Sequence, residues 1–121
     1  MYALLVSNNA GISLLDFSNK PERAKRVAEQ YGIPEVYASA EEMIAKADID
    51  AVDICTWNNA HAPVLIAAAN AGKHVICEKP LAMNLSDALL MEKAVKENGI
   101  IFMLAVPSRF GYENMYLRDM Y

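Results

Sequence analysis

The chain has 121 residues, enough for one domain with a single core. Its 55% hydrophobic and 21% charged residues belong to a folded globular protein and exclude a disordered one. The net charge of −4, without any basic cluster, argues against nucleic acid as a partner, and the longest apolar stretches, Ala62–Ala69 and Ile100–Val106, fall well short of the ~20 residues of a membrane span.

In chain order, Tyr2–Asn9 reads as the back part of a helix and Ile12–Phe17 as a strand. Pro21–Tyr31 reads as a helix, with proline at its first position and Gly32 just past its end. Ser39 followed three residues later by Glu42 is a capping-box pattern opening a short helix through about Ala47. Ala51–Thr56 is a compact apolar run, interrupted by Asp53, that reads as a buried strand. A helix is expected from about Ala62 to Ala71, closed by Gly72, and a strand at Val75–Cys77. Asn84, with Asp87 at its third helical position, caps a helix to about Asn98, and after Gly99 the run Ile100–Ala105 reads as a last strand. Of the five glycines, 11, 32, 72 and 99 each fall where a helix is expected to stop. Alternating helices and near-continuous apolar strands predict an α/β fold with a parallel sheet covered on both faces.

Cys55 and Cys77 lie inside apolar runs and read as reduced core residues of an intracellular, cytoplasmic protein. No cationic lead precedes the first apolar segment, so no secretion signal is expected. The cysteines form no CxxC and the histidines, His61 and His74, are not at metal-ligand spacing, so no metal site is expected.

His74-Val75-Ile76-Cys77-Glu78-Lys79-Pro80 is the most informative run. A short apolar strand ends in a carboxylate, an ammonium and a proline, at the edge where open α/β sheets bind their ligands. Together with Asp50-Ala51-Val52-Asp53-Ile54-Cys55-Thr56, then Asn58 and His61, then Ala71-Gly72-Lys73-His74-Val75, then Glu78-Lys79-Pro80-Leu81-Ala82, it resembles the Gfo/Idh/MocA oxidoreductases. The similarity runs from about Ile12 to Phe110. It implies a Rossmann-like, doubly wound parallel sheet that binds NAD(P) and passes a hydride to or from a sugar, polyol or related small molecule, in a homo-oligomeric parent.

The chain departs from the family at two places. It carries no G-x-G-x-x-G and no strand ahead of one. It also carries no counterpart of the family's second, substrate-binding domain. The expectation is therefore residues 1–121 as a partial NAD(P)-binding Rossmann domain, an incomplete sheet whose first strand and glycine-rich loop are absent. In the strand order 3-2-1-4-5-6 the missing strand is central, so its two neighbours are expected to expose unpaired edges. Without the loop's N–H groups at the pyrophosphate, tight dinucleotide binding and activity of the isolated chain are not expected.

By this resemblance Lys79 is the catalytic-site lysine, orienting the substrate and favouring an alkoxide, with Glu78 holding its ammonium and Pro80 fixing the turn through a cis bond. A solvated charge pair ending a strand is the alternative for a bare Glu-Lys-Pro; the flanking GKHV and PLA favour the functional reading. Thr56, Trp57, Asn58 and His61 match the family's Thr-Pro-Asn-x-x-His with tryptophan in place of proline. Thr56 and Asn58 are placed at the ribose or diphosphate, with a plain helix cap at Asn58 or Asn59 as a close alternative, and His61 at a helix start near the cofactor. Ser18, Asn19 and Lys20 sit where the adenosine ribose is read. A hydroxyl and a lysine there lean towards NADP over NAD, although Asp16, two residues earlier, reverses that preference in a shifted register. Arg109, within Pro107-Ser108-Arg109-Phe110, is assigned to the nicotinamide side or to an ordinary surface loop. The competing accounts are a flavodoxin-like receiver, for which Asp53 alone is too little, and a non-enzymatic α/β regulatory or interaction subunit derived from the same fold.

Overall fold

The computed structural model describes residues 3–8, 11–16 and 21–120. Among these residues the elements follow the order β1 (Ala3–Asn8), β2 (Gly11–Asp16), α1 (Pro21–Tyr31), α2 (Ala40–Lys46), β3 (Ala51–Cys55), α3 (Asn58–Asn70), β4 (His74–Glu78), α4 (Leu85–Asn98), β5 (Phe102–Ala105), a 3-10 turn (Pro107–Phe110) and α5 (Tyr112–Asp119). One sheet takes the order β2-β1-β3-β4-β5. Strands β3, β4 and β5 are parallel, in a register that aligns Val52 with Val75 and Phe102, and Ile54 with Cys77 and Leu104.

Parallel neighbours need a crossover, and α3 and α4 supply the two that this sheet requires. Both pack on one sheet face, because side chains alternate along a strand. Val52, Ile54, Val75 and Cys77 turn into a core that also takes Met43 and Ile44 of α2, Leu65, Ala68 and Ala69 of α3, and Met91 and Ala94 of α4. The alanines of α3 keep its backbone close to the strands, and Ala68 and Ala69 are fully buried. The intervening residues are less covered: Ala51, Asp53 and Cys55 are half-buried, and His74 and Ile76 are exposed. Coverage of both faces was the expectation from the apolar strands, and at β3 and β4 the described residues bury one.

The amino end differs from its predicted form. Ala3–Asn8 is a strand and not a helix, and Gly11 opens β2 and ends no helix. A six-residue apolar run is too short for periodicity to separate the two states, and Asn8-Asn9-Ala10-Gly11 has the composition of a hairpin turn. Strand β1 pairs antiparallel with β2 on one side and with β3 on the other, Val6 lying opposite both Ser13 and Val52. The inner edges of β2 and β3, expected to be open, are thereby paired, which satisfies β3's peptide groups on both sides.

The helix ends follow their local signals more closely. Gly72 and Gly99 adopt φ values of 72° and 62°, the left-handed conformation that ends a helix. Helix α3 begins at Asn58 rather than near Ala62, which leaves Pro63 inside it. At α4 the Asn84 side-chain oxygen accepts from the Asp87 N–H at 2.9 Å. At α2 the Ser39 hydroxyl oxygen accepts from the Glu42 N–H at 3.1 Å, while the Glu42 carboxylate accepts from the Ala38 N–H at 3.1 Å. Among the described residues no helix is long and apolar enough to cross a membrane.

Ser39→Ala removes the α2 cap and is expected to lower stability by about 1 kcal/mol, read as a lower urea midpoint. Ser39→Asn supplies another acceptor and is expected to recover most of the loss; equal midpoints for all three proteins would refute the assignment.

Candidate functional site

The parallel register brings three strand ends to one edge. Glu78 lies beside Ala105 where β4 ends, and Cys55 closes β3 one residue beyond the Ile54–Cys77 pair. Three turns leave from this edge: Thr56-Trp57-Asn58, Lys79-Pro80 and Val106–Phe110. Loops at the carboxyl ends of parallel strands are where such sheets bind ligands.

The first turn leads directly into α3. Trp57 occupies the N-cap position and makes no side-chain cap bond, so Asn58 is the first helical residue and neither Asn58 nor Asn59 serves as the cap. The Thr56 hydroxyl donates to the Trp57 carbonyl at 3.3 Å, and Trp57 and Asn58 are exposed. In the second turn the Lys79–Pro80 peptide is cis. The half-buried Glu78 carboxylate accepts the Lys79 main-chain N–H at 3.1 Å. Among the described residues no ion pair joins Glu78 to the Lys79 ammonium, which corrects the expected side-chain pairing. Lys79 and Pro80 are both exposed. Arg109 is exposed in the 3-10 turn, its main-chain N–H donating to Val106 at 2.9 Å. Ser18, Asn19 and Lys20 lie outside the described residues.

His61 is the one polar or charged side chain that the described core buries completely, at 0% exposure. Its Nδ1 lies 2.8 Å from the Pro80 carbonyl and its Nε2 lies 3.2 Å from the Thr56 carbonyl. The ring therefore touches the main chain of both turns. His74 sits at the opposite end of the strands, where its Nδ1 accepts from the Ile101 N–H at 3.1 Å and ties β4 to the entry of β5.

The less covered sheet face carries Asp53, Cys55 and Glu78. The Cys55 thiol donates to Asp53 Oδ1 at 3.5 Å. Desolvation, reinforced by the Glu78 charge, raises the Asp53 carboxyl above its ordinary range despite that hydrogen bond. Desolvation first, and then Asp53, pushes the Cys55 thiol up to about 11; burial first, and then Cys55, pushes Cys77 up to about 12. Both thiols are free and held protonated, so neither is a poised nucleophile. The sequence marks Asp53 as an interruption of the strand and as too little for a receiver's acidic pocket, not as a partner of Cys55. The i, i+2 spacing of Asp53 and Cys55 was the available signal that they share a face. Among the described residues no three His, Cys, Asp or Glu side chains converge as a metal site. An apolar hollow of about 360 Å³ between α3, α4 and β5, lined by Leu65, Leu81, Leu89, Met91 and Phe102, contains none of the site residues.

Residues 13–106 match the family model described as an oxidoreductase family with an NAD-binding Rossmann fold. The chain is 44% identical over 84 residues to 1,5-anhydro-D-fructose reductase of Ensifer adhaerens, a match covering 69% of the chain and 25% of that protein. It is 36% identical over 115 residues to 4-carboxy-2-hydroxymuconate-6-semialdehyde dehydrogenase of Sphingobium sp., covering 94% of the chain and 36% of that relative. Among solved structures, a probable dehydrogenase from Thermotoga maritima superposes with a TM-score of 0.79 at 32% identity, covering 87% of the chain and 31% of its own. The chain thus spans a quarter to about a third of the length of these proteins.

A raised carboxyl has a defined consequence for stability. Folding raises the Asp53 pKa, so its contribution is fully present below the unfolded aspartate pKa and is lost as pH rises through the folded value. Asp53→Asn removes that loss. The variant is expected to melt higher than the parent near pH 7, with the gap closing as pH falls below the ordinary aspartate range; a gap independent of pH would refute the desolvation account.

Proposed function

The chain belongs to the Gfo/Idh/MocA oxidoreductase family, whose matching domain is an NAD-binding Rossmann fold, and on that premise we propose that it supplies the cofactor-side residues of an NAD(P)-dependent oxidoreductase acting on a sugar, polyol or related carbinol. The observation that carries this reading is the meeting of Thr56-Trp57-Asn58 and Glu78-Lys79-Pro80 at one sheet edge, with His61 in contact with both. When bound, the nicotinamide donates or accepts a hydride. The exposed Lys79 ammonium is placed to donate a hydrogen bond to the reacting oxygen, stabilising negative charge as it develops there. Glu78, bonded to the Lys79 N–H, shapes the turn from which that ammonium projects.

The donors at this edge suit a dinucleotide. The Thr56 hydroxyl, Asn58 amide and Arg109 guanidinium offer hydrogen bonds to ribose hydroxyls or phosphate oxygens. Ser18, Asn19 and Lys20 favour the 2′-phosphate of NADP, which a carboxylate would repel. The sequence holds no G-x-G-x-x-G, so the backbone cradle that normally holds the pyrophosphate contributes nothing from these residues. We accordingly assign the 121-residue chain weak dinucleotide affinity and no turnover by itself. Its setting is a cytoplasmic, homo-oligomeric enzyme. The alternative reading is a non-enzymatic α/β regulatory or interaction subunit derived from the same fold.

Titration of the isotope-labelled chain with NADP⁺ and NAD⁺, followed through its amide resonances, tests this reading. Shifts are expected at Ser18–Lys20, Thr56–Asn58, Lys79 and Leu81, with affinity weaker than micromolar and tighter for NADP⁺. Lys20→Glu is expected to weaken NADP⁺ binding and leave NAD⁺ binding little changed. Shifts confined to the apolar hollow would overturn the site, and micromolar affinity would overturn the argument from the missing glycine loop.

A further inference from the structure

We propose that His61 is a positioning residue whose imidazole sets the separation of the Thr56–Asn58 and Lys79–Pro80 turns, and thereby the seat of a nicotinamide dinucleotide between them. Main-chain pairing of β3 with β4 reaches Ile54–Cys77 and stops there. Beyond that level the strands diverge into turns, and the His61 ring bridges the gap through the Pro80 and Thr56 carbonyls. The ring is fully buried, so it acts through the turns and not by touching a ligand in solvent. Carbonyl oxygens only accept and a neutral ring carries one N–H, so the 2.8 Å contact assigns that N–H to Nδ1 as the hydrogen bond and leaves the 3.2 Å approach of Nε2 to Thr56 as a packing contact. Helix α3 anchors the other end of the side chain, with the neighbouring Ala62, Val64 and Leu65 buried in the core. A ring held by a packed helix makes a rigid spacer, and small errors of placement at a reacting centre cost heavily in rate. The functional half of this inference rests on reading the two turns as the cofactor edge; the positional half does not.

Two variants separate the contacts in the full 121-residue chain. His61→Phe keeps a ring of similar size and loses the Pro80 hydrogen bond and the polar approach to Thr56. His61→Asn offers an amide N–H near the Nδ1 position, retaining the Pro80 bond and losing the Thr56 contact. In ligand-free amide spectra, His61→Phe is expected to displace Trp57, Asn58, Lys79 and Leu81 while the resonances of α2 and α4 stay in place. His61→Asn is expected to return Lys79 and Leu81 towards their parental positions and leave Trp57 and Asn58 displaced. Unchanged turns, or equal displacement throughout the chain, would refute positioning. Should His61→Phe fail to fold, His61→Asn decides alone, because split behaviour of the two turns supports the bridge and uniform behaviour refutes it. In NADP⁺ titrations the dissociation constant is expected to rise about tenfold for His61→Phe and less for His61→Asn. Equal affinities despite displaced turns would overturn the functional half. A parental chain whose turn resonances ignore NADP⁺ would overturn the cofactor reading and that half with it, while the ligand-free spectra still decide the positional half.

Discussion

Parallel pairing of β3, β4 and β5 in a common register is the constraint on which the other assignments depend. It brings the residues after Cys55, Glu78 and Ala105 to one edge, although they are separated in sequence by two helical crossovers. That register is strongly specified. A slip of one residue would carry Val52, Ile54, Val75 and Cys77 out of the core and turn Asp53 and Glu78 into it. An unpaired carboxylate buried against Leu65 and Met91 costs far more than the apolar contacts of the slipped arrangement return. The same alternation that builds the core therefore fixes which turns stand side by side.

The middle of the sheet shows how a chain satisfies backbone groups when a parallel partner is not at hand. Strand β3 needs hydrogen-bond partners on both sides if it is to remain a central strand. Strand β1 supplies them on one side, pairing antiparallel with β3 as it does with β2. This arrangement closes the ladder without the G-x-G-x-x-G loop that the sequence lacks. Sheet integrity and phosphate binding are thus separable requirements, and the described residues meet the first without contributing the usual device for the second.

Much of this is legible in the sequence alone, and the reasons differ by residue. Pro21–Tyr31, the Ser39 and Asn84 caps, and the stops at Gly72 and Gly99 follow from signals that act within one helical turn. The Glu78-Lys79-Pro80 edge was legible because charged residues abruptly end a short apolar strand. Ala3–Asn8 was not, since a six-residue apolar run fits either state and its pairing with β3 is long-range. The first turn of α3 was hidden because Trp57 caps it without a side-chain bond and Pro63 falls inside the helix. Neither the absence of a Glu78–Lys79 ion pair nor the burial of His61 could be read locally. The first depends on where a carboxylate finds its donor, and the second on two carbonyls that only the tertiary fold brings together.

The form of the His61 contacts matters as much as their presence. Both are made to main-chain carbonyls, so the bridge makes no demand on the side chains at positions 56 and 80 beyond the path of the backbone. Glu78 works in the same way, accepting a main-chain N–H and not the neighbouring ammonium. Turn shape is consequently set by bonds to the main chain, among them the Thr56 hydroxyl's bond to the Trp57 carbonyl, while the exposed Asn58 and Lys79 side chains lie outside that scaffold. With Glu78 engaged by the main chain, the described residues hold no ion pair at Lys79, and the edge combines a backbone-bonded frame with exposed polar side chains at Asn58 and Lys79.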